Sequence, residues 1–166
     1  MYTQAQKQFI HKRPKNVTLY ETVEFNHDDF GSIYLVANQV FTKSFTVNGV
    51  STEFRPVNMT IPSSTDIRAD SSAAGVIKFG RIGNDIRDKL KQITPSGRLK
   101  PIRAVIRVYQ SGLTNPTFEK HLFVADNGIS RDESSVAVQL SFDNPALITQ
   151  QKYFYDPSIF VGLING

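Results

Sequence analysis

Histidine and cysteine, the side chains that most often hold transition metals, give this sequence little metal-binding chemistry. Its three histidines, His11, His27 and His121, lie far apart, and none has the spacing of a metal-binding motif. The 166 residues include no cysteine, which excludes disulfides and thiolate ligands. We therefore expect no metal site and no cofactor.

Carboxylates that could work as a general acid and base lie in polar, loop-like surroundings. They are Asp66, Asp70, Glu119, Asp132 and Glu133. Such surroundings would not raise a carboxyl pKa by burial, as acid catalysis near neutral pH requires. Asp28-Asp29 and Asp126-Asn127-Gly128 resemble fragments of a calcium loop but lack its later bidentate glutamate, so we interpret both as turns. No serine lies in a Gly-x-Ser-x-Gly elbow, and we predict that the protein is not an enzyme.

A basic and aromatic set provides the best case for a nucleic-acid surface. Its members are Arg98, Lys100, Arg103, Arg107 and Tyr109. Cations can follow phosphates and aromatic rings can stack on bases, but the net charge is only +4, and Arg beside Tyr is equally typical of the centre of a protein interface. We favour a protein contact through Arg103, Arg107 and Tyr109, and disfavour nucleic acid. A nucleic-acid-binding β-barrel domain is the alternative function.

The segment from Tyr153 to Gly166, YFYDPSIFVGLING, is unusually apolar and aromatic. Apolar side chains of this kind must pack on their own domain or on a neighbouring molecule, and both outcomes are open. We interpret the segment as a docking device. Its predicted interface residues are Tyr153, Phe154, Tyr155, Phe160 and Leu163.

The strongest local structural signal is Asn48-Gly49, which lies between two β-rich runs. This pair tolerates the positive φ angles of a two-residue type I′ turn and predicts a β-hairpin. The predicted register sets Val47 opposite Val50 and Phe45 opposite Thr52, with Phe54 on the same face.

Alternating patterns predict further strands at 17–25, 32–36, 73–79, 102–109, 118–125 and 135–142. The strand 102–109 has one apolar face and one face, with Arg103, Arg107 and Tyr109, that we expect to meet solvent or a partner. Asn84 can cap a helix on which Ile86, Leu90 and Ile93 form one stripe, and residues 2–12 could form a second.

These patterns predict a mainly β fold, an antiparallel β-sandwich or barrel with one or two short helices. We divide the chain into an N-terminal arm at 1–16, a β-rich domain at 17–145 and the docking segment at 146–166. No apolar run is long enough to cross a membrane, so we expect no membrane partner.

Four features carry a family resemblance: the hairpin Phe45 to Phe54, the run Ile82 to Leu90, the strand Ile102 to Tyr109, and the closing Tyr153-Phe154 with Phe160 to Leu163. In this order they resemble short minor tail proteins of tailed phages and, more remotely, the N-terminal part of minor tail protein L of lambda-like phages. The family helix follows an Asp- or Asn-led turn, here at Asn84. Its ending is aromatic-Pro-Gly-Leu, and Val161 stands here in place of the proline.

The resemblance implies a structural component of a tail tip or baseplate hub in the virion, assembled in the host cytoplasm. Such a subunit links the end of the tail tube and tape-measure protein to distal tip proteins, and the implied partners are these proteins and further copies in a ring. Protein L also has a cysteine-bearing region for an iron–sulfur cluster. Because this chain has no cysteine, we do not expect that cofactor.

Overall fold

The computed structural model describes residues 17–62, 73–80, 88–89, 92–94, 97, 100–131 and 135–146. These residues confirm the predicted mainly β class. The strands are β1 (Leu19–His27), β2 (Gly31–Ala37), β3 (Lys43–Val47), β4 (Val50–Val57), β5 (Met59–Thr60), β6 (Ala73–Phe79), β7 (Arg103–Gln110), β8 (Phe118–Arg131) and β9 (Val136–Ser141).

The nine strands form one sheet in the order β3-β4-β2-β1-β7-β8-β9-β6-β5. Every pair in this order is antiparallel except β2 with β4, which run parallel from Leu35 opposite Arg55 to Ala37 opposite Val57. The edge strands β3 and β5 do not pair with each other in the described part of the chain. The sheet is therefore open, and the closed-barrel form of the prediction is replaced by a curled sheet.

The curl follows from the short connection between β4 and β5. Only Asn58 separates these strands, although β4 is second from one edge of the sheet and β5 is the opposite edge. The two ends of the strand order must therefore approach each other, and the Asn38 backbone N–H donates to the Val57 carbonyl at 2.9 Å. The concave face encloses the main core, made of Val23, Phe25, Leu35, Ala37, Val57, Met59, Ile61, Ile77, Phe79, Ala104, Ile106, Leu122, Val124, Val138 and Leu140.

The predicted β3–β4 hairpin is confirmed, with Val47 opposite Val50 and Phe45 opposite Thr52. Asn48 and Gly49 take φ angles of 50° and 83°, which fit a type I′ turn. The Phe45 ring stacks on the Tyr109 ring of β7 with 4.3 Å between centroids. In a flat sheet, four strand steps would separate β3 from β7 by about 19 Å. The hairpin therefore folds back over the convex face.

This fold-back creates a second apolar cluster on the convex side of the sheet. Four of its members are buried, and the rings of Tyr20, Tyr34 and Phe45 pack against them. The buried members are Val36, Val47, Phe54 and Tyr109. The face of β7 that we expected to meet solvent or a partner is thus largely covered by the chain itself.

Of the two predicted turns, one is found and one is not. Residues 28–30, which include Asp28 and Asp29, form a turn directly after β1. The turn predicted at Asp126-Asn127-Gly128 is wrong, because β8 continues through it to Arg131. The β8–β9 register shifts between Val124 and Ile129. Four residues of β8, 125–128, therefore lie opposite the single residue Gln139 of β9, and the strand accommodates three extra residues there.

Several predictions concern residues outside the described part of the chain. These are the arm at 1–16, the helix at 2–12, most of the helix predicted from Asn84 and the docking segment from residue 147 onward. Asp88 and Lys89, from the predicted helical run, are helical.

Candidate functional site

The convex face carries a buried ion pair centred on Arg107. This residue of β7 lies between β1 and β8, opposite Thr22 on one side and Glu119 on the other. Its Nη1 donates to Glu24 Oε2 at 2.7 Å and its Nε donates to Glu119 Oε2 at 3.0 Å. Only 4% of Arg107 is exposed. Burial by itself would lower the pKa of Arg107, but the bonds and charges of the two carboxylates raise it.

Further hydrogen bonds extend this pair across four neighbouring strands. Ser32 Oγ donates to Glu24 Oε1 at 3.1 Å, and Asn26 Nδ2 donates to Ser32 Oγ at 2.8 Å. On the other side, His121 Nε2 lies 2.8 Å from Glu119 Oε1. We call this set the polar row: Asn26, Ser32, Glu24, Arg107, Glu119 and His121. Its one guanidinium is paired with two carboxylates of the same chain.

Tyr109 is fully buried beneath the β3–β4 hairpin. Its hydroxyl donates to the Thr46 carbonyl at 3.0 Å, and burial raises its pKa. Arg107 and Tyr109 are thus both buried by the chain itself, and neither side chain lies at the surface of the fold. Arg103 is exposed, and its interface role stays a prediction.

The basic set considered for nucleic acid does not form one exposed stripe. Arg107 and Tyr109 are buried, and Lys100 Nζ is bonded to Asp28 Oδ2 at 2.8 Å. Arg98 lies outside the described residues, as do the predicted interface residues of the docking segment. The latter are Tyr153, Phe154, Tyr155, Phe160 and Leu163.

One end of the curled sheet, which we call the charged end, is built around the turn between β1 and β2. Asp29 Oδ2 accepts hydrogen bonds from the Thr94 backbone N–H at 2.8 Å and from Thr94 Oγ1 at 2.9 Å. Asp28 pairs with Lys100. These contacts join the turn to the segment that precedes β7, 65 to 72 residues later in the chain.

His27 completes this connection from a buried position. Its Nδ1 accepts a hydrogen bond from the Asp29 backbone N–H at 3.1 Å. Nε2 must then carry the proton, and it donates to the Gly97 carbonyl at 3.1 Å. The Lys100 bond lowers the pKa of Asp28, and the Thr94 bonds lower that of Asp29. Both ring nitrogens of His27 are therefore engaged in hydrogen bonds that connect the β1–β2 turn to the segment before β7.

The opposite end of the sheet, which we call the uncharged end, comprises residues 17–19, 38–42 and 110–117. These three segments contain no Asp, Glu, Lys, Arg or His. Val40 and Phe41 in the β2–β3 loop are 82% and 76% exposed. Leu19 and Leu113, also at this end, are 41% and 43% exposed. Large apolar side chains grouped at one end of a domain are typical of an interaction surface.

A backbone hydrogen bond joins two segments of the uncharged end, and strand pairing places the third beside them. The Ser111 N–H donates to the Thr18 carbonyl at 2.9 Å, which fixes the start of β1 beside the end of β7. Because β1 and β2 are antiparallel, the last residue of β2 lies at the uncharged end, beside the start of β1. Asn38, with φ of 53°, bonds through Nδ2 to the Met59 carbonyl at 3.2 Å and anchors the loop before Val40. Sequence reasoning missed this surface, although an apolar pair within the polar run Asn38 to Thr42 was its local signal.

A groove of about 390 Å³ lies beside the polar row. Both signs of charge line it, so it could accommodate a polar group. The lining residues are Ser32, Ile33, Tyr34, Glu53, Arg55, Asp88, Lys89 and Gln92. Arg55 and Asp88 also take part in other contacts. The groove is therefore lined by side chains of mixed polarity.

The described residues include no group of three or more His, Cys, Asp or Glu side chains that could hold a metal ion. Of the candidate carboxylates, Glu119 is held in the polar row, and the other four lie outside the described part. No helix in the described part is long and apolar enough to span a bilayer. No protein-family model matches the chain, and no curated protein matches it.

Proposed function

We propose that the protein is a structural subunit of a bacteriophage tail tip or baseplate hub. In this role it links the end of the tail tube and tape-measure protein to distal tip proteins and associates with further copies of itself in a ring. The family resemblance of the sequence supports the phage setting. The surface of the described residues supports the broader role of an assembly subunit.

The observation that carries the assembly role is the exposure of Val40 and Phe41 on an anchored loop. Burying one such side chain is worth about 1.5–3 kcal/mol, so leaving two adjacent ones in water forgoes several kcal/mol. Anchoring at Asn38 also reduces the conformational entropy lost when a partner binds. A fixed apolar loop is thus suited to docking on another protein.

Two cations of the basic set considered for nucleic acid are already paired within the chain. Arg107 is paired with Glu24 and Glu119, and Lys100 is paired with Asp28. Charged groups neutralised within the chain have less electrostatic free energy to offer a polyanion. Apolar contact at the uncharged end is therefore the better supported mode of binding.

Mass spectrometry of density-purified phage particles tests the proposal directly. We expect the chain in intact virions at a small fixed copy number relative to the tail-tube protein, with cryo-electron microscopy placing it at the distal end of the tail. Its absence from purified particles would contradict the proposal. Binding to DNA that weakens steeply with salt, together with that absence, would instead favour the nucleic-acid alternative.

A further inference from the structure

The exposed apolar side chains at the uncharged end point to a specific occupant. We propose that a second copy of this chain docks there, with Val40 and Phe41 of each copy packed against the uncharged end of the other about a twofold axis. This inference rests on the proposed assembly role and adds to it a surface through which two copies meet. Because a twofold pair closes on itself, a ring requires a separate head-to-tail contact elsewhere on the chain.

Charge favours a second copy as the occupant. Each chain carries a formal net charge of +4, so two copies repel each other over most approaches. Segments 17–19, 38–42 and 110–117 contain no charged residue, and contact there places no like charges opposite one another. An apolar, neutral patch is also complementary to itself, as a twofold contact requires.

The position of Lys43 supports the same contact. Lys43 follows the Val40–Phe41 loop, and its Nζ lies 5.6 Å from the centre of the Tyr20 ring. This cation–π contact directs the ammonium group along the convex face. Two copies can therefore bring Phe41 side chains together without burying an ammonium group.

The small size of the uncharged end predicts a dimer of low affinity. Its three segments together supply fewer than the roughly 20–30 residues per partner of a standard stable interface. We therefore expect a reversible dimer that forms at high protein concentration. In a larger assembly, other contacts would raise the effective concentration of the two surfaces.

Sedimentation equilibrium of the purified chain over a concentration series, with ¹⁵N chemical-shift mapping, tests the pairing. We expect concentration-dependent dimerisation and shifts concentrated in 17–19, 38–42 and 110–117. Val40→Asp and Phe41→Asp should each weaken dimerisation at least tenfold, because each places two carboxylates in the contact. Added salt should leave wild-type dimerisation unchanged or strengthen it.

Val50→Asp is the matched control, because Val50 is 65% exposed at the distant tip of the β3–β4 hairpin. It should leave the dimer constant unchanged. A chain that stays monomeric at the highest accessible concentration would overturn the pairing. So would an equal loss of dimer affinity in Val40→Asp and Val50→Asp, or a dimer affinity that falls steeply with added salt.

The outcomes separate this inference from the proposed function. A chain that stays monomeric when purified, yet is present in virions, contradicts the pairing and leaves the tail role standing. A chain that dimerises through Phe41 but is absent from purified virions supports the pairing and contradicts the tail role.

Discussion

The two ends of the curled sheet use their connecting segments in opposite ways. At the charged end, Asp28 and Asp29 bond to Lys100 and Thr94, which lie 65 to 72 residues away in the chain. At the uncharged end, Val40 and Phe41 have large exposed fractions. Charged side chains thus secure one end of the fold internally, whereas the other end presents apolar side chains to the outside.

In a basic, aromatic-rich chain, the simplest expectation is that arginine and tyrosine side chains form the interface, and this contrast reverses it. Arg107 and Tyr109 are residue types enriched in interface centres, yet both lie inside the protein, in the polar row and beneath the hairpin. The exposed aromatic ring at the uncharged end has no charged neighbour in its own loop. Residue type alone therefore does not identify an interface, because burial by the chain's own elements decides which side chains remain available.

The largest expected effect comes from removing the cation of the polar row. Arg107→Met leaves Glu24 and Glu119 without the guanidinium to which both are bonded. We expect a loss of about 3 kcal/mol in the free energy of unfolding, near the lower end for breaking a buried ion pair because Glu119 is partly exposed. Urea unfolding monitored by circular dichroism measures this loss.

Arg103→Met is the control for that variant. Arg103 lies four residues earlier in β7 and is exposed, so its replacement should change the free energy of unfolding by no more than about 0.5 kcal/mol. Equal losses in the two variants would show that the buried pair has no special role in stability.

A smaller effect is expected from Gly97→Ala at the charged end. A Cβ at this position would overlap Asp29 Oδ2, so the carboxylate must move and its bonds to Thr94 must weaken. We expect a decrease in the urea midpoint that is smaller than that of Arg107→Met. In an Asp29→Ala background the same substitution should have little further effect. Fully additive losses would mean that Gly97 acts independently of Asp29.

Acid should weaken the charged end selectively. Hydrogen bonds from Thr94 lower the pKa of Asp29 below its ordinary value of 3.8. The folded chain then binds this proton less readily than the unfolded chain, so the stabilisation is present above about pH 4 and is lost as the pH falls through the folded pKa. Asp29→Asn should therefore show a smaller loss of stability between about pH 5 and pH 2. Parallel curves for wild type and variant, from urea titrations at each pH, would contradict this assignment.

Local features of the fold were predictable from the sequence, and the β3–β4 hairpin shows why. Asn48 and Gly49 define the turn, and a two-residue turn sets Val47 opposite Val50. The side of β9 that faces the main core was also predictable, since the buried Val138 and Leu140 alternate with exposed or partly exposed residues. Both predictions depend only on neighbouring residues.

The location of the candidate site depends on contacts that no local pattern contains. Phe45 covers Tyr109 because the hairpin folds back across several strands, so the covered face of β7 could not be distinguished from a partner-facing one. The uncharged end exists only because strand register brings three separate segments together. The Asp126-Asn127-Gly128 prediction was wrong for a related reason, since these turn-forming residues lie within β8, where its register with β9 shifts.

The smallest expected effect on stability is that of Val40→Asp, and it tests whether the uncharged end serves association rather than folding. Since Val40 is 82% exposed, we expect the free energy of unfolding of the monomer to change by no more than about 0.5 kcal/mol. Val36→Ala, in the buried part of the same β2–β3 region, should cost about 2 kcal/mol in the same urea assay. A large loss from Val40→Asp would mean that the loop is part of the folding core. Unchanged stability with weakened dimerisation would assign Val40 to a contact between molecules.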